Sequence, residues 1–93
     1  MSHLSSSQQK QDLLNRVRRI AGQIEAVERA LADDAPCAVT LQRVAAVRGA
    51  INGLMDEIVE EHLHDHVARP GLTDAERAAG AEELAVVIRR YSK

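Results

Sequence analysis

Apolar residues recur every three or four positions along the first third of the chain, with polar and charged residues between them. This spacing is typical of a helix that packs lengthwise through a narrow apolar seam. It predicts a first helix over about residues 8–32. The seam consists of Leu13, Val17, Ile20, Ile24, Val27 and Leu31.

A second apolar stripe follows a short break at residues 33–36 and continues to about residue 67, before Pro70 and Gly71. Asp34 is a plausible N-cap, and Pro36 fits the first turn of a helix, where a missing N–H costs nothing. The pattern predicts a second helix of about 30 residues, or roughly 45 Å. The stripe is formed by Leu41, Val44, Val47, Ile51, Leu54, Met55 and Ile58.

A third, shorter helix is predicted to begin at Thr73, which has the spacing of a capping box with Glu76. We therefore expect one all-α domain over residues 1–93, with a long antiparallel helical hairpin, a short C-terminal helix and a flexible arm at residues 1–7. Three helices offer too few layers to enclose the second stripe. We expect a second subunit to cover it.

Composition narrows the function. The chain has no Phe or Trp and one Tyr, so it lacks the aromatic platforms of single-stranded nucleic acid binders. One cysteine excludes an internal disulfide framework and fits a reducing cytoplasm. No apolar run is long enough for a membrane span. No nucleophile–base pair is evident, and we expect no enzymatic activity.

Charge is unevenly distributed although the net charge is only −2. Residues 10–19 contain a single acid, Asp12, whereas residues 56–65 are acidic and contain no Lys or Arg. A basic segment of this kind can contact phosphates even when the whole molecule is acidic, because affinity follows local neutralisation. Its cations are Lys10, Arg16, Arg18 and Arg19.

Three side chains form a candidate metal site. His62 and His66 lie about 40° apart on a helix, close enough to bind one ion, whereas His64 points elsewhere. Cys37 falls on the same stripe but about 37 Å away along the axis, so one chain cannot complete the site. If two second helices pack antiparallel about a two-fold axis, Cys37 of one copy meets His62 and His66 of the other.

His3 and the N-terminal amine are candidates to complete this site, because amine, backbone nitrogen and imidazole favour nickel-like or copper-like ions. Each feature also has a simpler interpretation: a small buried thiol, a chance terminal histidine, a solvated helix face. The coincidence of Cys37, His62 and His66 on one stripe favours ligation. Arg48 interrupts the apolar repeat, either as an intersubunit ion pair or as a phosphate contact.

The segments RVRRIAGQIEAVERAL and RVAAVRGAINGLMDEIVEEHLHDH, with Cys37, resemble the CsoR/RcnR family of bacterial metal- and formaldehyde-responsive repressors. The resemblance spans nearly the whole chain. It implies a three-helix protomer, a four-helix-bundle dimer, a disc-like tetramer and double-stranded operator DNA as partner. It further implies that Arg16 and Arg19 face the phosphates, with Lys10, Arg18 and Arg43 as weaker candidates.

The branches of the family differ at the site. The copper branch has a second cysteine at the place of His66, and the formaldehyde branch has an acidic residue there and a proline at position 2. Ser2, His3, Cys37, His62 and His66 together resemble the nickel/cobalt branch. The resemblance therefore implies a cytoplasmic repressor of metal efflux genes that releases DNA on binding Ni(II) or Co(II).

Two alternatives stay open. In a formaldehyde-responsive repressor, one carbon would join Cys37 to the N-terminal amine. In a helical metal-binding interaction module, the chain would have no role on DNA.

Overall fold

A computed structural model of the protein describes residues 7–91, which form three α-helices and one π-helix. Helix α1 spans Ser7–Ala32, α2 spans Cys37–Leu63, and α3 spans Asp74–Tyr91. The predicted three-helix protomer is confirmed. The second helix differs from its prediction at the C-terminal end, where the π-helix His64–Ala68 continues α2.

The connection between α1 and α2 corrects one prediction. Asp34 is not an N-cap of α2: it has a φ of 53° and lies just beyond the end of α1. Its N–H donates to the Leu31 carbonyl at 3.3 Å, and the Ala35 N–H donates to the Ala30 carbonyl at 2.9 Å, which is the pattern of a Schellman C-cap. Aspartate tolerates this left-handed conformation better than most residues, so Asp34 closes α1. Pro36 is the residue that precedes α2.

The start of α3 agrees with the sequence. The Thr73 N–H donates to Glu76 Oε1 at 2.8 Å, and the Glu76 N–H donates to Thr73 Oγ1 at 3.0 Å. These reciprocal bonds are the predicted capping box. The hydrogen bonds from the backbone and then the hydroxyl of Thr73 lower the pKa of the Glu76 carboxyl below its ordinary value.

The apolar seams are only partly buried. Among the described residues, Leu13, Ile20 and Ala30 are the buried apolar side chains, all on α1. Several large apolar residues remain exposed: Ile24 by 51%, Leu41 by 62%, Val44 by 47%, Ile58 by 46% and Tyr91 by 60%. The described chain measures 56 × 29 × 16 Å, and its radius of gyration of 17.3 Å exceeds the about 12 Å of a compact domain of this length.

A protomer this flat leaves much of its apolar surface uncovered, and the second subunit that would cover it stays a prediction. No helix in residues 7–91 is long and apolar enough to cross a membrane.

Candidate metal centre and nucleic-acid interface

His62 and His66 lie side by side at the junction of α2 and the π-helix. Their ring centroids are 4.8 Å apart and their planes are tilted by 38°. His62 Nε2 lies 3.0 Å from the Gly80 carbonyl oxygen on α3, and as an N–H it donates to this oxygen. This contact would leave Nδ1 of His62 as the nitrogen available for a metal.

The π-helix begins between the two histidines in the sequence. In an α-helix, residues four apart differ by about 40° around the axis. The wider turns of a π-helix, with i→i+5 hydrogen bonds, rotate each residue by less than the usual 100°. Because the π-helix begins at His64, we expect the two steps from His64 to His66 to bring His66 more nearly above His62 than a regular helix would. Single π-turns are frequent at functional sites.

His66 Nε2 is a buried atom with no hydrogen-bond partner in the described protomer. A buried polar atom without a partner costs free energy, so such atoms are rare in stable proteins unless something binds them. A ring in this state can turn toward a metal ion without losing a hydrogen bond from Nε2. The donor chemistry and the orphaned nitrogen therefore fit a borderline metal ion such as Ni(II) or Co(II).

Cys37 is the first residue of α2 and its thiol is exposed. Cys37 and His62 lie on one continuous α-helix, which separates the thiol from the imidazoles by about 37 Å. Within residues 7–91 of one protomer, no three His, Cys, Asp or Glu side chains come together as a metal-binding group. His3 lies outside the described residues, and His64 is exposed.

Four of the predicted DNA-contacting cations lie on different parts of α1, and the fifth, Arg43, lies on α2. At about 100° per residue, Arg16 and Arg19 lie roughly 60° apart on one flank of the buried Leu13–Ile20 stripe, whereas Lys10 is about 180° from Arg19. Lys10, Arg18, Arg19 and Arg43 are exposed. Arg16 is half-buried, because its Nε lies 3.1 Å from Glu57 Oε2 on α2.

Sequence reasoning missed Glu57 as the partner of Arg16, and it missed the contacts that α3 makes with the histidines. Gly80 is buried, and a Cβ there would collide with the His66 carbonyl group. The available signal was the helical spacing of Gly80, Leu84, Val87 and Tyr91 in α3, where the missing side chain of Gly80 indicates close packing against a neighbouring element. Arg48 is exposed in the protomer, which agrees with either of its two interpretations.

Comparisons with known proteins define the class. Residues 9–90 match the family described as metal-sensitive transcriptional repressor, so the fold and sequence belong to a class of transcriptional repressors rather than of enzymes. The chain belongs to the CsoR/RcnR family, as the resemblance of its motifs predicts.

Individual relatives are similar over nearly their full lengths. The transcriptional repressor RcnR of Salmonella arizonae is 38% identical over 89 residues, 96% of this chain and 92% of the relative. A Serratia marcescens protein known as the uncharacterized protein in the bioA 5′ region is 48% identical over 93 residues, the whole of both chains.

A solved structure is also similar. It is a Glu-to-His variant of the formaldehyde-responsive regulator FrmR from Salmonella enterica serovar Typhimurium, with a TM-score of 0.87 and 49% identity. The match covers 94% of this chain and 98% of the other. The relatives therefore include a regulator that responds to formaldehyde, and similarity alone does not select the effector.

Proposed function

We propose that this protein is a cytoplasmic, non-catalytic transcriptional repressor that releases operator DNA when it binds Ni(II) or Co(II), and that it controls metal efflux genes. The observation that carries the choice of effector is His66, which lies beside His62 with a buried, unpartnered Nε2. A thiolate with two or three imidazole or amine nitrogens is a borderline donor set, which suits Ni(II) and Co(II) better than Cu(I).

The ligands are Cys37 from one protomer and His62 and His66 from another, with His3 and the N-terminal amine completing the set. The support is the arrangement of ligands along α2, which carries the thiol at one end and the imidazoles at the other. If two α2 helices pack antiparallel, each thiol lies beside the imidazoles of the other copy, which gives two sites. A dimer built in this way would cover the exposed apolar residues of α2. Two dimers would then form the tetramer.

The DNA surface consists of Arg16 and Arg19, and Lys10 is a weaker candidate because it lies about 180° from Arg19 around α1. Arg16 and Arg19 lie on one flank of α1 and can face the same DNA backbone, and repetition of that patch in four copies compensates for the net charge of −2. Bound through Cys37, His62 and His66, a metal ion would supply strong bonds that join the C-terminal end of one α2 to the start of α2 in another copy. Helix α2 would carry the effect of metal binding toward the DNA surface. It holds both His62, a metal ligand, and Glu57, the ion-pair partner of Arg16.

A formaldehyde-responsive repressor is the second candidate, favoured by the exposed Cys37 thiol and by the 49% identity to the FrmR variant. In that reaction the Cys37 thiol and the N-terminal amine would add to one formaldehyde molecule, forming an N–CH2–S bridge and releasing one water. The bridge needs no contribution from His66.

One titration separates the candidates. Metal-free protein bound to a labelled operator fragment is titrated with Ni(II), Co(II) or formaldehyde, with fluorescence anisotropy reporting release and Co(II) absorbance reporting ligation. Release by either metal at stoichiometric amounts supports the proposal. Release by formaldehyde alone selects the second candidate, and failure to bind any operator while binding metal selects the interaction module.

A further inference from the structure

Arg77, on α3, holds three backbone carbonyl groups at the end of the histidine-bearing segment. Its guanidinium donates to the Val67 carbonyl, and it approaches the Arg69 and Leu72 carbonyls at 3.5 Å each. Val67 belongs to the π-helix, and the other two carbonyls belong to the turn that leads into α3. One half-buried side chain therefore connects the end of the π-helix to the helix that follows.

Gly80, one turn after Arg77 on α3, also contacts the histidine-bearing segment. Residues 77 and 80 are three apart and so lie on one face of α3. The Gly80 backbone packs directly on His66, because a Cβ at this position would come within 2.9 Å of His66 Cβ, and the Gly80 carbonyl faces His62 Nε2. Thus one face of α3 contacts both histidines and the end of their helix.

A π-helix needs such support. Its geometry is rare, and the last carbonyls of any helix have no partner within the helix. Arginine suits this task because its planar guanidinium has five N–H donors in a fixed arrangement and can serve several acceptors at once. Lysine presents a single compact ammonium and cannot reproduce that arrangement.

We infer that Arg77 is a positioning residue: by holding the Val67, Arg69 and Leu72 carbonyls it maintains the π-helix that aligns His66 with His62. This inference rests on the proposed function, because the alignment matters most when both imidazoles bind one metal ion. Residues that orient metal ligands typically change metal affinity by about 10- to 100-fold when they are replaced. Arg77 would act in this way through the backbone.

The test compares Arg77→Lys and Arg77→Ala with Arg90→Ala, which removes an exposed arginine from the same helix. The first measurement is backbone hydrogen exchange in metal-free protein. The Arg77 variants should accelerate exchange across residues 64–72 and leave α1 unchanged, whereas Arg90→Ala should match the parent. The second is Co(II) affinity by competition with a chelator, which should fall at least about tenfold in Arg77→Lys with an altered absorption spectrum.

Each outcome of these measurements supports or overturns the role of Arg77. Unchanged exchange at residues 64–72 in Arg77→Lys overturns the inference, as does accelerated exchange with parental Co(II) affinity and spectrum. If Arg77→Ala does not assemble, Arg77→Lys, which keeps the charge, carries both measurements. If the parent does not respond to Ni(II) or Co(II), the proposed function fails, and the exchange experiment alone decides whether Arg77 maintains the π-helix.

Discussion

Arg16 on α1 and Glu57 on α2 form an ion pair, with Nε and Oε2 3.1 Å apart. Arg16 is also a proposed phosphate contact, so the Glu57 carboxylate and a DNA phosphate would compete for one guanidinium. Gly53 belongs to this arrangement, since a Cβ there would lie 2.8 Å from the Arg16 guanidinium. The side chains are 38% and 39% exposed, so solvent screens the pair and the competition is modest.

Glu57→Gln should therefore strengthen operator binding of the metal-free protein by about two- to fivefold, because it frees Arg16. Fluorescence anisotropy with a labelled operator fragment measures this. Glu82→Gln is the matched control: it removes the same charge from a pair with Arg89 at 3.8 Å on α3, away from α1. An equal gain in both variants would attribute the effect to net charge alone.

Arg16→Ala and Arg19→Ala should each weaken operator binding and reduce its dependence on salt, because each lost phosphate contact lowers the number of counterions released. Metal affinity should remain nearly unchanged. The slope of log affinity against log salt concentration measures this, with Arg90→Ala as a control on another helix. Parental DNA binding by the double variant would disprove the assignment.

His66→Ala should lose metal-triggered DNA release but keep any response to formaldehyde, because only the metal site requires that imidazole. Loss of a direct ligand should weaken Ni(II) or Co(II) binding by a few kcal/mol, on the order of 100-fold. Cys37→Ala should impair both responses. The measurement is operator release at a pH above about 6.5, where neutral imidazoles can bind metal. Full metal responsiveness in His66→Ala would remove the main support for the nickel/cobalt proposal.

Metal binding should also require two protomers. Cys37→Ala and His62→Ala proteins should each lack complete sites, whereas a mixed antiparallel dimer keeps one of its two sites. After co-refolding at equal amounts, about half of the dimers should be mixed, so about a quarter of the parental Co(II) stoichiometry should return. Isothermal titration measures that stoichiometry. Recovery of no sites, or tight binding by a monomeric variant, would contradict the intersubunit geometry.

Gly80→Ala should destabilise the protein by about 1–3 kcal/mol, because the added methyl group meets the His66 backbone in a packed contact. Gly22→Ala is the control. Gly22 lies in α1, and a Cβ added there would have no atom within 4 Å beyond its own helix backbone and chain neighbours, so alanine should be neutral or stabilise the helix by up to about 1 kcal/mol. Urea unfolding at fixed protein concentration compares them, and equal stability of the two variants would refute the close packing.

The sequence predicts regular elements better than their junctions. The α1 seam and the Thr73–Glu76 capping box are local patterns, and both elements form where the residues indicate. Asp34 fails as an N-cap because a left-handed C-cap and an N-cap use the same residue types, and only hydrogen bonding across the turn separates them. The π-helix and the contacts of Arg77 were not predictable, because they depend on tertiary packing between α3 and the end of α2.

The small buried core of the protomer would make the protein's stability depend on its concentration. In the proposed assembly, a chain whose protomer buries only Leu13, Ile20 and Ala30 among its described apolar residues would gain much of its folding free energy from association, so dilution should lower its melting temperature. Operator occupancy would then rise more steeply than linearly with the number of chains in a cell. Copy number would thereby become a second input to the regulator, and a cell that holds few molecules would lose repression before any effector arrives.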